Sequence, residues 1–297
     1  MDFKTKLKMY SEMVNNRIEE IFTKQNCLQK TVYDAMSYSI LAGGKRIRPV
    51  LALAVCDMLG GEVEDALRFA VAIECIHTYS LIHDDLPCMD NDDLRRGRPT
   101  CHKQFDEAMA LLAGDGLLTF AFEYMTDLTS FKKVTPDKVL KITNEIAKGA
   151  GCDGMIGGQV VDLECEGRSD VDEKTLTYLH NRKTGALIRV SALAGAISAD
   201  TDDAQIAAII KYADCIGLAF QIQDDILDCT GDADVLGKPI GSDAENEKTT
   251  YVTLLGIDTA REKAKKLTDD AVNALKIFGG KAEFLKELAL YLQKRNN

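Results

Sequence analysis

Apolar residues in this chain recur three and four positions apart almost from end to end, and only five prolines, at 49, 87, 99, 136 and 239, interrupt the pattern. That spacing lines up side chains on one face of an α-helix, whereas a strand needs strict alternation, which is rare here. Proline removes an amide donor and clashes with the preceding turn, so long proline-free intervals favour long helices. The pattern predicts helices over 49–60, 63–86, 106–126, 136–163, 172–198, 202–228, 258–277 and 281–294. Pro49 suits a first helical turn and Gly60 a helix stop. Segments 149–158 and 185–196 are rich in small residues, which let backbones approach closely, so both are expected in central helices. Short polar connections at 127–135 and 164–171 imply antiparallel neighbours. No linker divides the chain, so the expectation is a single all-α domain over 1–297, with two long loops, 87–103 and 229–249, free to carry function.

Length and charge narrow the classes further. A chain of 297 residues buries enough surface to need no covalent staples. A net charge of −11 argues against general nucleic-acid binding, so any phosphate site must be local. The nine cysteines are odd in number and include no C-x-x-C pair, which reads as reduced thiols in a cytoplasmic protein. The first residues, MDFKTKLKMY, lack the apolar core of a secretory signal, and no run of about 18 uncharged apolar residues predicts a membrane span.

Both long loops follow an aspartate cluster at the end of an apolar helix. The first is LIHDDLPCMDNDDLRRGRPT, with Asp84, Asp85 and Asp90. Continued helix would put Asp90 on the wrong side of Asp84, but Pro87 breaks the helix and lets Asp90 return through the loop. The second is QIQDDILD, where Gln221, Asp224 and Asp228 share a helix face and Asp225 sits beside them. A lone D-D-x-x-D is most simply a wet helix face. Two such clusters at apolar helix ends are different, because partial negative charge there disfavours bare carboxylates and favours cations. Oxygen-only ligands select hard ions such as Mg²⁺.

Positive groups accompany the clusters. GGKRIRP supplies Lys45, Arg46 and Arg48 where a helix begins, a natural anion seat. RRGR supplies Arg95 and Arg96 beside the first cluster. Lys183, in an otherwise apolar small-residue helix, needs a counter-charge, and Lys238 and Lys248 follow the second cluster. His77, Ser80 and Asp84 form one inward stripe, although a lone histidine on such a stripe is more often a core residue. Phosphate would answer all these cations.

Taken together, these blocks resemble the two aspartate-rich motifs of the trans-prenyl diphosphate synthases. LAGGKRIRP, RKTGALI and GLAFQIQDD match further blocks of that family in the same order, over nearly the whole chain. The resemblance implies a helical bundle around a deep central cavity, a homodimer and three Mg²⁺ ions. It implies that Asp84, Asp85, Asp90 and Asp224 hold an allylic diphosphate through Mg²⁺, with Asp228 supporting and Asp225 completing the motif. By the same resemblance Lys183, Lys238, Lys248 and Arg95 neutralise the departing diphosphate. Isopentenyl diphosphate would bind at Lys45, Arg48, His77 and Arg96, and Thr184 and Gln221 would direct dipoles at the allylic cation.

Within the family the pattern is nearest to bacterial enzymes that condense isopentenyl diphosphate with dimethylallyl or geranyl diphosphate to the C15 farnesyl chain. The alternative product is the C20 geranylgeranyl chain. Tyr79 and Ser80, just below Asp84, are the candidate chain-length residues, with an ordinary core tyrosine as the plainer reading. A non-catalytic partner subunit would lack one aspartate motif, and both are intact. A terpene cyclase would not need the second diphosphate seat.

Overall fold

The computed structural model of the protein describes residues 1–23, 26–168, 170–230 and 248–294. Lys238 lies outside them. Among the described residues the fold is helical apart from one two-stranded hairpin, and the all-α expectation holds. The chain divides into two compact units, Met1–Thr143 with Ile197–Ala199, and Asn144–Ala196 with Asp200–Asn297. The division falls inside a helix rather than at a linker.

The first unit is built on helix α4, Val63–Asp84, which is buried nearly all round and packs against α3, Ile47–Met58, and α6, Glu107–Thr126. Helix α1, Phe3–Phe22, contributes the buried stripe Tyr10, Val14, Ile18 and Phe22, four apart as a helix requires. Helix α2, Lys30–Ile40, and the one-turn α5, Cys101–Gln104, complete the unit. The connection after α6 is fixed by Asp65, whose buried carboxylate accepts from the backbone N–H groups of Lys132, Lys133 and Val134 at 2.8, 2.7 and 2.9 Å.

The expected helix over 136–163 is two, α7, Pro136–Ala150, and α8, Met155–Cys165. Gly154 ends the continuity: an added Cβ would lie 2.1 Å from the Gly149 carbonyl oxygen, an approach only glycine permits. Cys152 and Asp153 are exposed, so 149–158 is not the continuous central helix its small residues suggested. The segment 172–198 is continuous but contains a π turn, Asn181–Gly185, between α9, Glu173–His180, and α10, Ala186–Ser198.

The second unit centres on α11, Asp203–Thr230, packed against α13, Ile257–Ala274. Leu218, Ile222 and Ile226 of α11 meet Leu176, Tyr251, Ala260 and Ala264 in one core. Tyr251 begins the short α12, Tyr251–Leu255, and the chain closes with a 3₁₀ stretch and α14, Glu283–Lys294. By length and hydropathy α6 and α11 could each cross a bilayer, but half of the apolar window of α11 is buried in packing.

Candidate active site

In the first unit, α4 ends at Asp84 and the loop turns back at once. The Asp90 amide donates to the Asp84 carbonyl at 2.9 Å, so the break at Pro87 does return Asp90 toward Asp84. Asp84 is half-buried and Asp90 exposed. Asp85 is 3% exposed and grips Arg95, with Nε at 2.7 and 2.9 Å from its two oxygens and Nη2 at 2.5 Å. Burial pushes the Asp85 carboxyl above the usual carboxylate range, while Arg95 pulls against that shift. A carboxylate and a cation expected to serve separate ligands are thus paired with each other.

The loop 87–103 also holds an element that periodicity could not show. Strands β1, Leu94–Arg95, and β2, Arg98–Pro99, form a hairpin whose turn residues are Arg96 and Gly97. Both have positive φ, 54° and 74°, as a two-residue hairpin turn demands. For arginine this is strained, and its guanidinium reaches the Gly43 carbonyl. A Cβ on Gly44 would lie 2.8 Å from that guanidinium, so the GG pair makes room for Arg96.

The cluster Lys45, Arg46, Arg48 is split. Arg46 has φ 51° at the N-cap of α3 and is buried on Glu74, with Nη1 to Oε1 at 2.5 Å. It also donates to the Ile40 carbonyl at 2.6 Å and to Asn15. Arg46 therefore holds the fold together, while Lys45 is exposed and Arg48 half-buried. Arg48 Nη1 lies 3.3 Å from His77 Nε2. A guanidinium offers only donors, so Nε2 accepts and the His77 proton sits on Nδ1. Burial, then Arg48, Arg96, Arg95 and Arg46, hold the His77 ring well below the usual histidine range. His77 is therefore neutral amid four guanidinium groups, a surrounding that suits an anion.

The chain-length candidates Tyr79 and Ser80 lie on α4 beside His77 and His83. Tyr79 is buried and packs edge-on to His83, ring centroids 5.6 Å apart. A Cβ on Gly114 of α6 would lie 2.1 Å from His83 Nε2, so His83 fits into the space that glycine leaves. Ser80 Oγ turns back to the His77 carbonyl at 2.9 Å. A small cavity of about 40 Å³ in this unit is lined by Thr78, Leu81, Ile82, Asp85, Arg95 and Arg96, among others, but not by Tyr79.

The second unit holds a cavity of about 230 Å³, lined by Asp162, Cys165, Glu166, Val171, Leu176, Leu179, His180, Lys183, Gln221, Asp224, Asp225, Lys248, Thr249 and Thr250. It gathers Lys183, Gln221, Asp224 and Lys248, which sequence reading had named. Lys183 Nζ binds Asp162 Oδ2 at 2.5 Å, and Lys248 Nζ lies 3.8 Å from the same oxygen and 3.4 Å from Glu166. Burial alone would raise the Asp162 carboxyl; Lys183 and Lys248 outweigh it and hold it low. Thr184 is half-buried in the same π turn as Lys183. That turn is possible because Gly158 lies beneath it: a Cβ there would be 2.1 Å from the Lys183 amide nitrogen.

Asp225 differs from its neighbours. It is 5% exposed and accepts the Tyr251 backbone N–H at 2.7 Å. Its role in the structure is to fix the start of α12 and, just ahead of it, Lys248. Asp228 is also buried. Asp162, His180 and Tyr251 were missed by sequence reading. The available signal was helical spacing, since His180 lies one turn before Lys183 and Thr184.

Among the described residues, no three His, Cys, Asp or Glu side chains converge as a ready-made metal cluster. This fits Mg²⁺, which commonly takes one or two carboxylates and completes its shell with substrate phosphates and water. The donors at both helix ends are hard carboxylate oxygens, as such an ion requires.

Comparison with known proteins follows the same lines. The polyprenyl synthetase family model matches residues 29–283. The large subunit 1 of a heterodimeric geranylgeranyl pyrophosphate synthase from Arabidopsis thaliana is 46% identical over all of this chain and 80% of its own length. An FPP/GFPP synthase from Zymomonas mobilis superposes with a TM-score of 0.87 at 39% identity, covering 97% of this chain and 98% of that one. A geranyltransferase from Helicobacter pylori, solved with magnesium and isoprenyl diphosphate, gives 0.83 at 32% identity, covering 97% and 96%.

Proposed function

The chain belongs to the polyprenyl synthetase family and is a prenyltransferase, and we propose that it condenses isopentenyl diphosphate with an allylic diphosphate to give the C20 geranylgeranyl chain. Curated relatives at 44–46% identity include geranylgeranyl synthases from Catharanthus roseus and Cyanophora paradoxa. That supports C20, and the expectation of a farnesyl product gives way to it. The observation that carries the reading is the pair Lys183 and Lys248 converging on Asp162 in a cavity shared with Gln221 and Asp224.

The chemistry follows from charge. By the family resemblance Asp84, Asp85 and Asp90 of the first unit, and Asp224 with Asp228 of the second, would hold Mg²⁺, three ions in all, which would supply counter-charge to the diphosphate when bound. Lys183 and Lys248 stabilise the departing diphosphate more strongly as negative charge grows on it, which lowers the barrier to breaking the allylic C–O bond. Val171, Leu176 and Leu179 wall the cavity with apolar surface and keep water from the cation. Lys45, Arg48, His77 and Arg96 seat the second diphosphate, whose double bond attacks. The proton then lost goes to the released diphosphate, so no side-chain base is needed.

Purified protein incubated with isopentenyl diphosphate, geranyl or farnesyl diphosphate and Mg²⁺ tests this reading. A C20 alcohol after dephosphorylation is expected. A C15 product would restore the farnesyl assignment, a hydrocarbon would mark a cyclase, and no turnover would mark a non-catalytic subunit. Tyr79→Ala should lengthen the product; an unchanged chain-length distribution would leave Tyr79 as a core residue held by His83. The homodimer that the resemblance implies is supported by apolar exposure at Ile156, Val160 and Leu163 on α8, at i, i+4 and i+7. Sedimentation as a 32.6 kDa species would reject it.

A further inference from the structure

His180 is 9% exposed, lines the cavity of the second unit, and stacks on Tyr251 with ring centroids 5.6 Å apart and planes 24° apart. Tyr251 is itself fixed twice, by its amide on Asp225 and by its hydroxyl on Thr177 at 2.6 Å. The plane of the His180 ring is therefore set by that stacking. Its Nδ1 lies 3.4 Å from Gln221 Nε2, and its Nε2 is buried with no hydrogen-bond partner among the described residues.

An amide has one donor arm and one acceptor arm, so whichever arm His180 takes decides what Gln221 offers the cavity. If His180 donated from Nδ1, it would hold the Gln221 oxygen and turn the NH₂ group, a partial positive charge, toward the cavity. If Nδ1 accepts, the NH₂ is occupied and the oxygen remains for the cavity. Resting on the prenyl-transfer reading above, only the second arrangement helps, because an allylic carbon that loses diphosphate becomes positive. We infer that His180 is a positioning residue: with its ring proton on Nε2, it accepts the Gln221 amide hydrogen at Nδ1 and so keeps the Gln221 carbonyl oxygen turned toward the allylic carbon. This arrangement leaves an Nε2–H donor buried without a partner among the described residues, a cost that a structure bears more readily at a functional site than in an ordinary core.

Two measurements test the assignment in the full chain. The chain has four histidines, so ¹⁵N ring shifts, assigned by replacing each in turn, give the His180 tautomer directly. A proton on Nε2 is expected, and a proton on Nδ1 overturns the inference. In the condensation assay, His180→Phe keeps an aromatic ring against Tyr251 and removes both nitrogens. It should lower kcat about tenfold, the scale of one lost hydrogen bond, with KM for both substrates within about twofold. Added to Gln221→Leu it should cost nothing further, because both changes remove one dipole. Losses that multiply, or a fall confined to KM, overturn it. A wild-type chain that forms no prenyl product overturns the synthase reading instead, and the tautomer measurement still decides the His180–Gln221 geometry.

Discussion

At the end of α4 the second aspartate of the pair, Asp85, is held by a side chain, the Arg95 guanidinium; in α11 the second aspartate, Asp225, is held by a backbone amide, that of Tyr251. In sequence the two pairs look alike. Arg95 stands on a short hairpin at the end of a long side chain, so it can turn away from Asp85 while the backbone stays in place. The Tyr251 N–H is a backbone donor at the start of α12, so it can leave Asp225 only if that stretch of backbone moves. The first pair can therefore be re-partitioned; on the proposed reading Asp85 would go to the ion and Arg95 to the phosphate. The second pair divides its labour: both carboxylates line the cavity, and Asp225 also anchors the backbone at Tyr251.

The sharpest way to break this contrast is to substitute the second aspartate of each pair. Asp85→Asn keeps the shape, removes the charge and leaves Asp92, at 3.4 Å, as the carboxylate beside Arg95. On the first reading kcat should fall about 100-fold, comparable to losing one preorganised electrostatic contact, while the urea midpoint barely moves. Asp225→Ala should do the opposite in kind. Losing a hydrogen bond to a charged acceptor in a buried site should cost about 2 kcal/mol of unfolding free energy. Activity would fall as a consequence, through a displaced Lys248. If Asp225→Ala is fully stable but inactive, or Asp85→Asn unfolds the protein, the two clusters are not used differently.

That contrast was not legible in the sequence, and the reason is physical. Periodicity reports which helix faces are apolar, so the long helices 63–86, 106–126 and 202–228 were found to within a few residues of α4, α6 and α11. Charge clusters at helix ends report that a counter-ion is wanted, so the cavity residues Lys183, Gln221, Asp224 and Lys248 were found too. Partner choice is set by tertiary approach. Nothing in HDDLP says that Asp85 meets a residue ten positions on, and nothing in QDDILD says that Asp225 reaches Tyr251, 26 positions away. Arg46 shows the same limit. Its place between Lys45 and Arg48 suggested an anion seat, but a positive φ turns it inward to Glu74. The π turn at 181–185 and the break before α8 depend on Gly158 and Gly154 at close contacts, which a list of small residues hints at without locating.

The last and smallest effect separates the two regions by pH. Each carries a histidine held below the ordinary range, but the surroundings differ. His77 has burial and four arginines acting together, whereas Asp162 partly offsets burial at His180, which is lowered from 6.5 to about 4. Below pH 6.5 the unfolded chain binds a proton at position 180 that the folded chain refuses until about pH 4. Stability from this site is therefore complete above pH 6.5, declines as pH falls through that window, and levels off below it. Between pH 7 and 5.5 the decline should be about 1 kcal/mol. His180→Phe has no proton to bind in either state, so its stability should fall by about that much less over the same interval. Urea unfolding of both proteins at the two pH values measures the difference. Parallel curves would mean that the His180 ring is not excluded from charging, and that the cavity of the second unit is wetter than its apolar walls imply.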